Sequence, residues 1–143
     1  MGTKRYLNYS DCRFLSVLSK AQALHCGEIR IIHWSILNLL GLDPKLLAQV
    51  LNTSSGRCWS SDTYNPVPGV MQGVPSDNKY QGGFVTSLMA KDFGLAQDAA
   101  TATKSPVFLG SIAHQMYRNM CSRGYSQKDF SSVFQFLREE EGL

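Results

Sequence analysis

The chain has 143 residues, 14 Lys and Arg against 11 Asp and Glu, and a formal charge of +3. That length fits one domain with a real core. The charge balance is too mild to argue for nucleic acid or an anionic membrane as partner. With 43% apolar residues the chain is not expected to be disordered. Charged residues make up only 17%, below the typical ~25%, which hints that part of the surface meets another domain or subunit. The most apolar stretch, Ile29 to Leu40, is broken by Arg30, His33, Ser35 and Asn38, so no membrane-spanning helix is expected. Cys12, Cys26, Cys58 and Cys121 are widely spaced and read as free thiols. Lys4, Arg5 and Arg13 precede no apolar core or cleavage site, so no secretory signal is expected, while a mitochondrial transit peptide stays open.

Residues 1–40 read weakly. Phe14, Leu15, Leu18, Ala21 and Leu24 fit a helix, and Ile29 to Leu37 fits a helix or a short β segment. After Gly41 the signals sharpen. Asp43 is a good N-cap, Pro44 suits the first helical position, and Leu46, Leu47, Val50 and Leu51 predict a helix over 44–52. Residues 53–83 hold eight glycines and prolines and predict a long loop with a helical turn near Cys58 to Thr63. Residues 84–103 are apolar around every face, which predicts the most buried helix, with Leu88 and Leu95 inside. Ser105 and Pro106 read as N-cap and first residue of a helix running to about Arg123, with Gly124 as its stop. Ser126 to Asp129 resembles a capping box for a last helix over 127–139. The expected fold class is all-α.

Lys91 is the most informative residue. Phe84, Leu88, Lys91 and Leu95 share one stripe, so the pattern places an ammonium inside an apolar face. A buried charge needs compensation. Either an acid pairs with Lys91, or the side chain snorkels to water, or it faces a ligand. Asp92 lies on the parallel stripe of Val85, Met89 and Ala96. The hydroxyl-rich loop Asn52 to Ser61, with Arg57, serves turn chemistry or a polar ligand, and it is not a P-loop. His25, His33 and His114 with Cys26 show no metal-ligand spacing, so no metal is expected. No Gly-x-Gly-x-x-Gly follows a strand pattern, so no dinucleotide-binding βαβ unit is expected in this chain.

Four segments resemble the 3-hydroxyisobutyrate dehydrogenases: Gly41 to Ala48, Ser54 to Gly69, Leu88 to Asp92 with Gly94 to Asp98, and Asp129 to Glu140. The resemblance covers about residues 41–143. It implies the helical C-terminal domain of the β-hydroxyacid dehydrogenase / 6-phosphogluconate dehydrogenase-like type, without its Rossmann domain. It implies NAD as cofactor, a small 3-hydroxy acid as substrate, oxidation of 3-hydroxyisobutyrate to methylmalonate semialdehyde in valine degradation, and a mitochondrial setting. It further implies a homo-oligomer or association with full-length subunits. By the same resemblance Lys91 contacts the cofactor, and Asp92 and Phe84 neighbour the substrate. Gly82-Gly83 would let backbone approach the ligand closely. The family's proton-relay lysine and its asparagine fall on Ser16 and Lys20, so no catalytic residue is assigned. Residues 1–40 are expected to be a non-family segment and 41–143 a cofactor-contacting, dimerising domain. As an alternative, the chain is a non-catalytic truncated form that docks onto full-length subunits.

Overall fold

The computed structural model describes residues 43–140. The helix and β readings before Gly41, the 1–40 segment, Ser16, Lys20, His25, His33, Cys12 and Cys26 all lie outside the described residues. Among the described residues five α-helices follow in order: α1 (Pro44–Asn52), α2 (Trp59–Asp62), α3 (Thr86–Ala102), α4 (Phe108–Met120) and α5 (Val133–Glu140). Short 3-10 turns stand at Pro75–Asn78 and Phe130–Ser132, and a π turn at Cys121–Tyr125 extends α4. No named strand occurs among the described residues; one isolated antiparallel bridge joins Val85 to Asp129. Cys58 and Cys121 are free and half-buried.

α1 starts as expected. Asp43 Oδ1 accepts from the Leu46 N–H at 2.8 Å, and Pro44 takes the first helical position, where its missing N–H costs nothing. Only part of its apolar set turns inward. Ala48 is buried, Leu47 and Leu51 pack against the core, and Leu46 and Val50 face solvent.

α3 and α4 form an antiparallel pair. Gly94 lies opposite His114, and Gln97 lies opposite Gly110 and Ser111, whose hydroxyl donates to Gln97 Oε1 at 3.0 Å. The core side of the pair carries Met89, Ala90 and Phe93 against Ala113, Tyr117 and Met120, with Phe93 and Tyr117 stacked at 5.6 Å between ring centroids. α5 closes the core with Val133, Phe134 and Phe136.

Two expected helix starts are displaced, for a shared reason. The backbone that was to open a helix is already engaged elsewhere. The Ser105 N–H donates to the Ala100 carbonyl and Lys104 adopts φ +55, so both residues close α3. α4 therefore begins at Phe108 rather than Pro106. Likewise the carbonyls of Ser126 and Lys128 accept from Ser87 and Thr86 N–H, which ties this segment to the start of α3. Asp129, not Ser126, is the cap, through the Ser131 N–H. Gly124 keeps its predicted stop role, at φ +89.

Asp129 holds the centre. It is fully buried. Its Oδ1 accepts from the Tyr64 hydroxyl at 2.9 Å and the Phe84 N–H at 2.8 Å. Its Oδ2 accepts from the Ser131 N–H at 2.9 Å and from the Ser131 hydroxyl. Its own N–H donates to the Tyr80 carbonyl at 2.9 Å, and Phe130 N–H donates to the Phe84 carbonyl at 2.8 Å. A buried carboxylate is tolerated only with its lone pairs filled, and here four donors do so. Gly83 completes the arrangement. It has φ +68, and a Cβ there would lie 2.2 Å from Asp129 Oδ1 and 2.6 Å from the Tyr64 hydroxyl.

Gly83→Ala should therefore destabilise the chain by about 3 kcal/mol, combining backbone strain with a displaced Asp129. Gly82→Ala, at φ +82 with open space around its Cβ position, should cost only about 1 kcal/mol. Urea unfolding of both variants checks the contrast; equal losses would sink it. Stability should also fall above pH 10. Burial first, then the Asp129 carboxylate, raises the Tyr64 phenol in the folded chain; burial also raises Tyr80 and Tyr125. From about pH 10 the unfolded phenols lose protons that the folded ones keep, so rising pH favours unfolding. Tyr64→Phe should cost about 2 kcal/mol at neutral pH, more than an average hydrogen bond because the acceptor is a buried carboxylate, and make the alkaline fall shallower in a pH series of unfolding curves.

Candidate functional site

The three candidate residues sit on one short stretch, from the turn before α3 into its second turn. Gly82 and Gly83 bring the chain round, Phe84 is pinned by both backbone groups to the Asp129 segment, and α3 then carries Lys91 and Asp92. The fold of this stretch is thus fixed from outside, by contacts some 45 residues away.

The expected burial of the Lys91 stripe is corrected. Leu88 is 43% exposed and Leu95 55%, and 60% of the Lys91 side chain is exposed. α3 is buried on one side only, through Thr86, Met89, Ala90, Asp92 and Phe93. Glycine and alanines make its remaining sides look uniformly apolar in sequence without making them core. Lys91 therefore does not need compensation for burial. The unusual feature is the reverse one: two leucines stand in water on either side of an exposed ammonium, one turn above and one below.

Asp92 is the more buried partner, with 12% of its side chain exposed, and Lys91 Nζ lies 3.2 Å from its Oδ1. An ion pair with one arm in solvent contributes about 0–1 kcal/mol. It orients the ammonium more than it stabilises the helix. Phe84 is half-buried and turned towards Phe130, 6.5 Å between ring centroids in an edge-on arrangement. Lys91 and Asp92 are thus brought together, while Phe84 joins an aromatic column.

That column was not legible in the sequence. Trp59 stacks on Tyr64 at 4.9 Å, Tyr64 on Phe130 at 5.4 Å, and Phe130 meets Phe84. It links the hydroxyl-rich loop to the turn before α3. Within the loop, Ser61 donates to Asn52 Oδ1 at 2.6 Å, and Arg57 pairs with Asp62 at 2.7 Å. Arg57 beside Asp62 holds that carboxyl below its ordinary range. Most of the loop's polar groups are thus engaged in shaping the loop itself, which favours the turn-chemistry reading. The only local trace of the column is the five-residue spacing of Trp59 and Tyr64.

Among the described residues no group of three His, Cys, Asp or Glu side chains is placed to hold a metal ion. No helix among them is long and apolar enough to cross a membrane.

The chain is similar to the human protein named 3-hydroxyisobutyrate dehydrogenase, mitochondrial, with 70% identity over 127 residues, 89% of this chain and 35% of that protein. The Drosophila melanogaster protein of the same name is 46% identical over 101 residues, 71% of this chain and 31% of its own length. The chain thus spans about a third of the length of these relatives. The solved structure of Mycobacterium tuberculosis 3-hydroxyisobutyrate dehydrogenase with L-serine superposes with a TM-score of 0.77 at 32% identity, covering 90% of this chain and 43% of that one. The 127-residue likeness is longer than the stretch from Gly41 to Leu143, so the resemblance reaches further upstream than expected. The match to a family model agrees, since it opens at residue 34 and runs to 137. Spanning most of the chain, that match decides the relationship: the chain belongs to the family described as NAD-binding of NADP-dependent 3-hydroxyisobutyrate dehydrogenase.

Proposed function

We propose that this chain provides the cofactor-contacting helical part of a 3-hydroxyisobutyrate dehydrogenase, and that NAD is the cofactor. The observation that carries the reading is the outward face of α3, with Lys91 between Leu88 and Leu95. An exposed ammonium flanked by exposed apolar surface suits a ligand that combines anionic groups with flat apolar rings. A dinucleotide has both. When bound, NAD supplies the hydride acceptor for oxidation of a hydroxyl-bearing carbon.

In this reading Lys91 donates to the cofactor, and Asp92 keeps its ammonium aimed along the face. Leu88 and Leu95 cover apolar parts of the ligand and exclude water there. Phe84, on its rigid column, borders the substrate together with Asp92. The substrate is 3-hydroxyisobutyrate and the product methylmalonate semialdehyde, a step of valine degradation, in the mitochondrion like the relatives whose names say so. Ser16 and Lys20 occupy the two positions at which the resemblance puts the proton relay, so no proton transfer is assigned to this chain.

A second reading, in which the chain is a non-catalytic module that docks onto full-length subunits, draws on a different observation. Phe108, Leu109 and Ile112 on α4, and Leu46 and Val50 on α1, are also exposed. Apolar surface on several faces is what an association module presents. Co-purification with a full-length relative separates the readings: a stable mixed assembly without NAD binding by this chain supports docking alone.

For the cofactor reading, isothermal calorimetry of the chain with NAD should show saturable binding. Lys91→Ala should weaken it by about tenfold, the worth of one charge-assisted hydrogen bond. The variant should keep its helical circular dichroism and unfolding midpoint, because Lys91 contributes little to the core. Absence of binding in both folded proteins would overturn the cofactor reading.

A further inference from the structure

A concave site is lined by none of the three candidate residues. An open groove of about 710 Å³ is lined by the start of α1 at Pro44, the 3-10 turn Pro75–Asn78 and α5. Its volume falls within the ~300–1,000 Å³ range of small-molecule sites. Tyr80 and Phe134, both buried, give it an apolar floor.

Three cations from separate elements line this groove: Lys79 at the end of the 3-10 turn, Lys128 just before Asp129, and Arg138 on α5. Among the described residues none of them is in an ion pair. Lys128 lies 4.4 Å over the Tyr125 ring and donates to Gln135 Oε1 at 3.2 Å. Arg138 stacks its guanidinium 5.9 Å over the Phe134 ring. Lys79 is held at φ +50, a conformation that is uncommon for a lysine.

Two carboxylates line the same groove. Glu139 is engaged, accepting from the Tyr125 hydroxyl and from Gln135 Nε2, and the Tyr125 bond chiefly holds it below its ordinary range. Asp77 is exposed on the 3-10 turn. The balance leaves net positive charge over an apolar floor. Like charges sharing a concave wall repel one another and are relieved by an anion.

We propose that this groove binds a small organic anion, a carboxylate or phosphate ester carrying an apolar body. Arg138 and Lys79 meet the charge, and Tyr80 and Phe134 lie beneath the body. The site is independent of the α3 face.

Titration of the ¹⁵N-labelled chain at fixed ionic strength tests this, with phenyl phosphate, benzoate, inorganic phosphate and benzyl alcohol as probes. Phenyl phosphate or benzoate should saturate and shift the amides of Lys79, Tyr80 and Arg138. Whichever of the two binds more tightly identifies the anionic group. Inorganic phosphate and benzyl alcohol, each with half of the chemistry, should bind at least about tenfold more weakly. Arg138→Gln and Lys79→Gln should each weaken binding about fivefold without moving the thermal midpoint, and Lys91→Ala should leave it unchanged. Scattered, non-saturating shifts, equal binding of inorganic phosphate, or unchanged affinity in both glutamine variants would overturn the proposal.

Discussion

One buried carboxylate decides how the described part of this chain is put together. Asp129 receives donors from the turn at residue 64, from the backbone at Phe84 and from its own cap at Ser131. Removing one donor from a filled carboxylate costs more than an average hydrogen bond contributes, because the remaining charge is left partly unsatisfied in an apolar surrounding. The segment pairs around Asp129 are therefore coupled. The chain cannot move Phe84 without disturbing Tyr64, and it cannot place a side chain at residue 83 at all without displacing both. The glycine there is required by the carboxylate as much as by its own φ.

This coupling explains why the candidate site lies where it does. The start of α3 is locked by Thr86 and Ser87 N–H bonds to the carbonyls of Lys128 and Ser126, and by the two Phe84 backbone bonds. Core packing on Met89, Ala90 and Phe93 then sets the helix rotation. With position and rotation both fixed, Leu88, Lys91 and Leu95 must point outward. A face presented by rigid scaffold rather than by a loop keeps its side chains in register, which is what orientation of a ligand demands.

Legibility in the sequence followed the range of the interactions. The start of α1 depends on Asp43, Pro44 and Leu46, all within one turn, and it was readable. Gly124 was readable as a stop because a positive φ is written in one residue. The expected opening of α4 fell too early because Ser105 bonds back to Ala100 and closes the preceding helix, and that of the last helix because Ser126 and Lys128 bond to Ser87 and Thr86, some 40 residues away. Asp129 showed only its capping half; its bonds to Tyr64 and Phe84 span 65 and 45 residues and leave no local pattern. The inward reading of the Lys91 stripe failed for a related reason. Periodicity tells which residues share a face, and on a helix rich in alanine it does not tell which face is the inner one.

The direction of that failure bears on function. A lysine among buried leucines would have been a structural puzzle, solved by an internal acid. A lysine among exposed leucines poses a different one, because the fold gains little from the arrangement. The Lys91–Asp92 pair contributes about 0–1 kcal/mol, and each leucine, left 43% and 55% exposed, forgoes roughly half of the ~1.5–3 kcal/mol that full burial would give. Stability alone gives little reason to leave apolar side chains half in water at 88 and 95. Their presence on the rigid helix that also carries the ammonium is accounted for when something apolar and anionic covers all three together. Fold and ligand site are then separable on α3: the inner side holds the helix in place, and the outer side is left free to be shaped by what it meets.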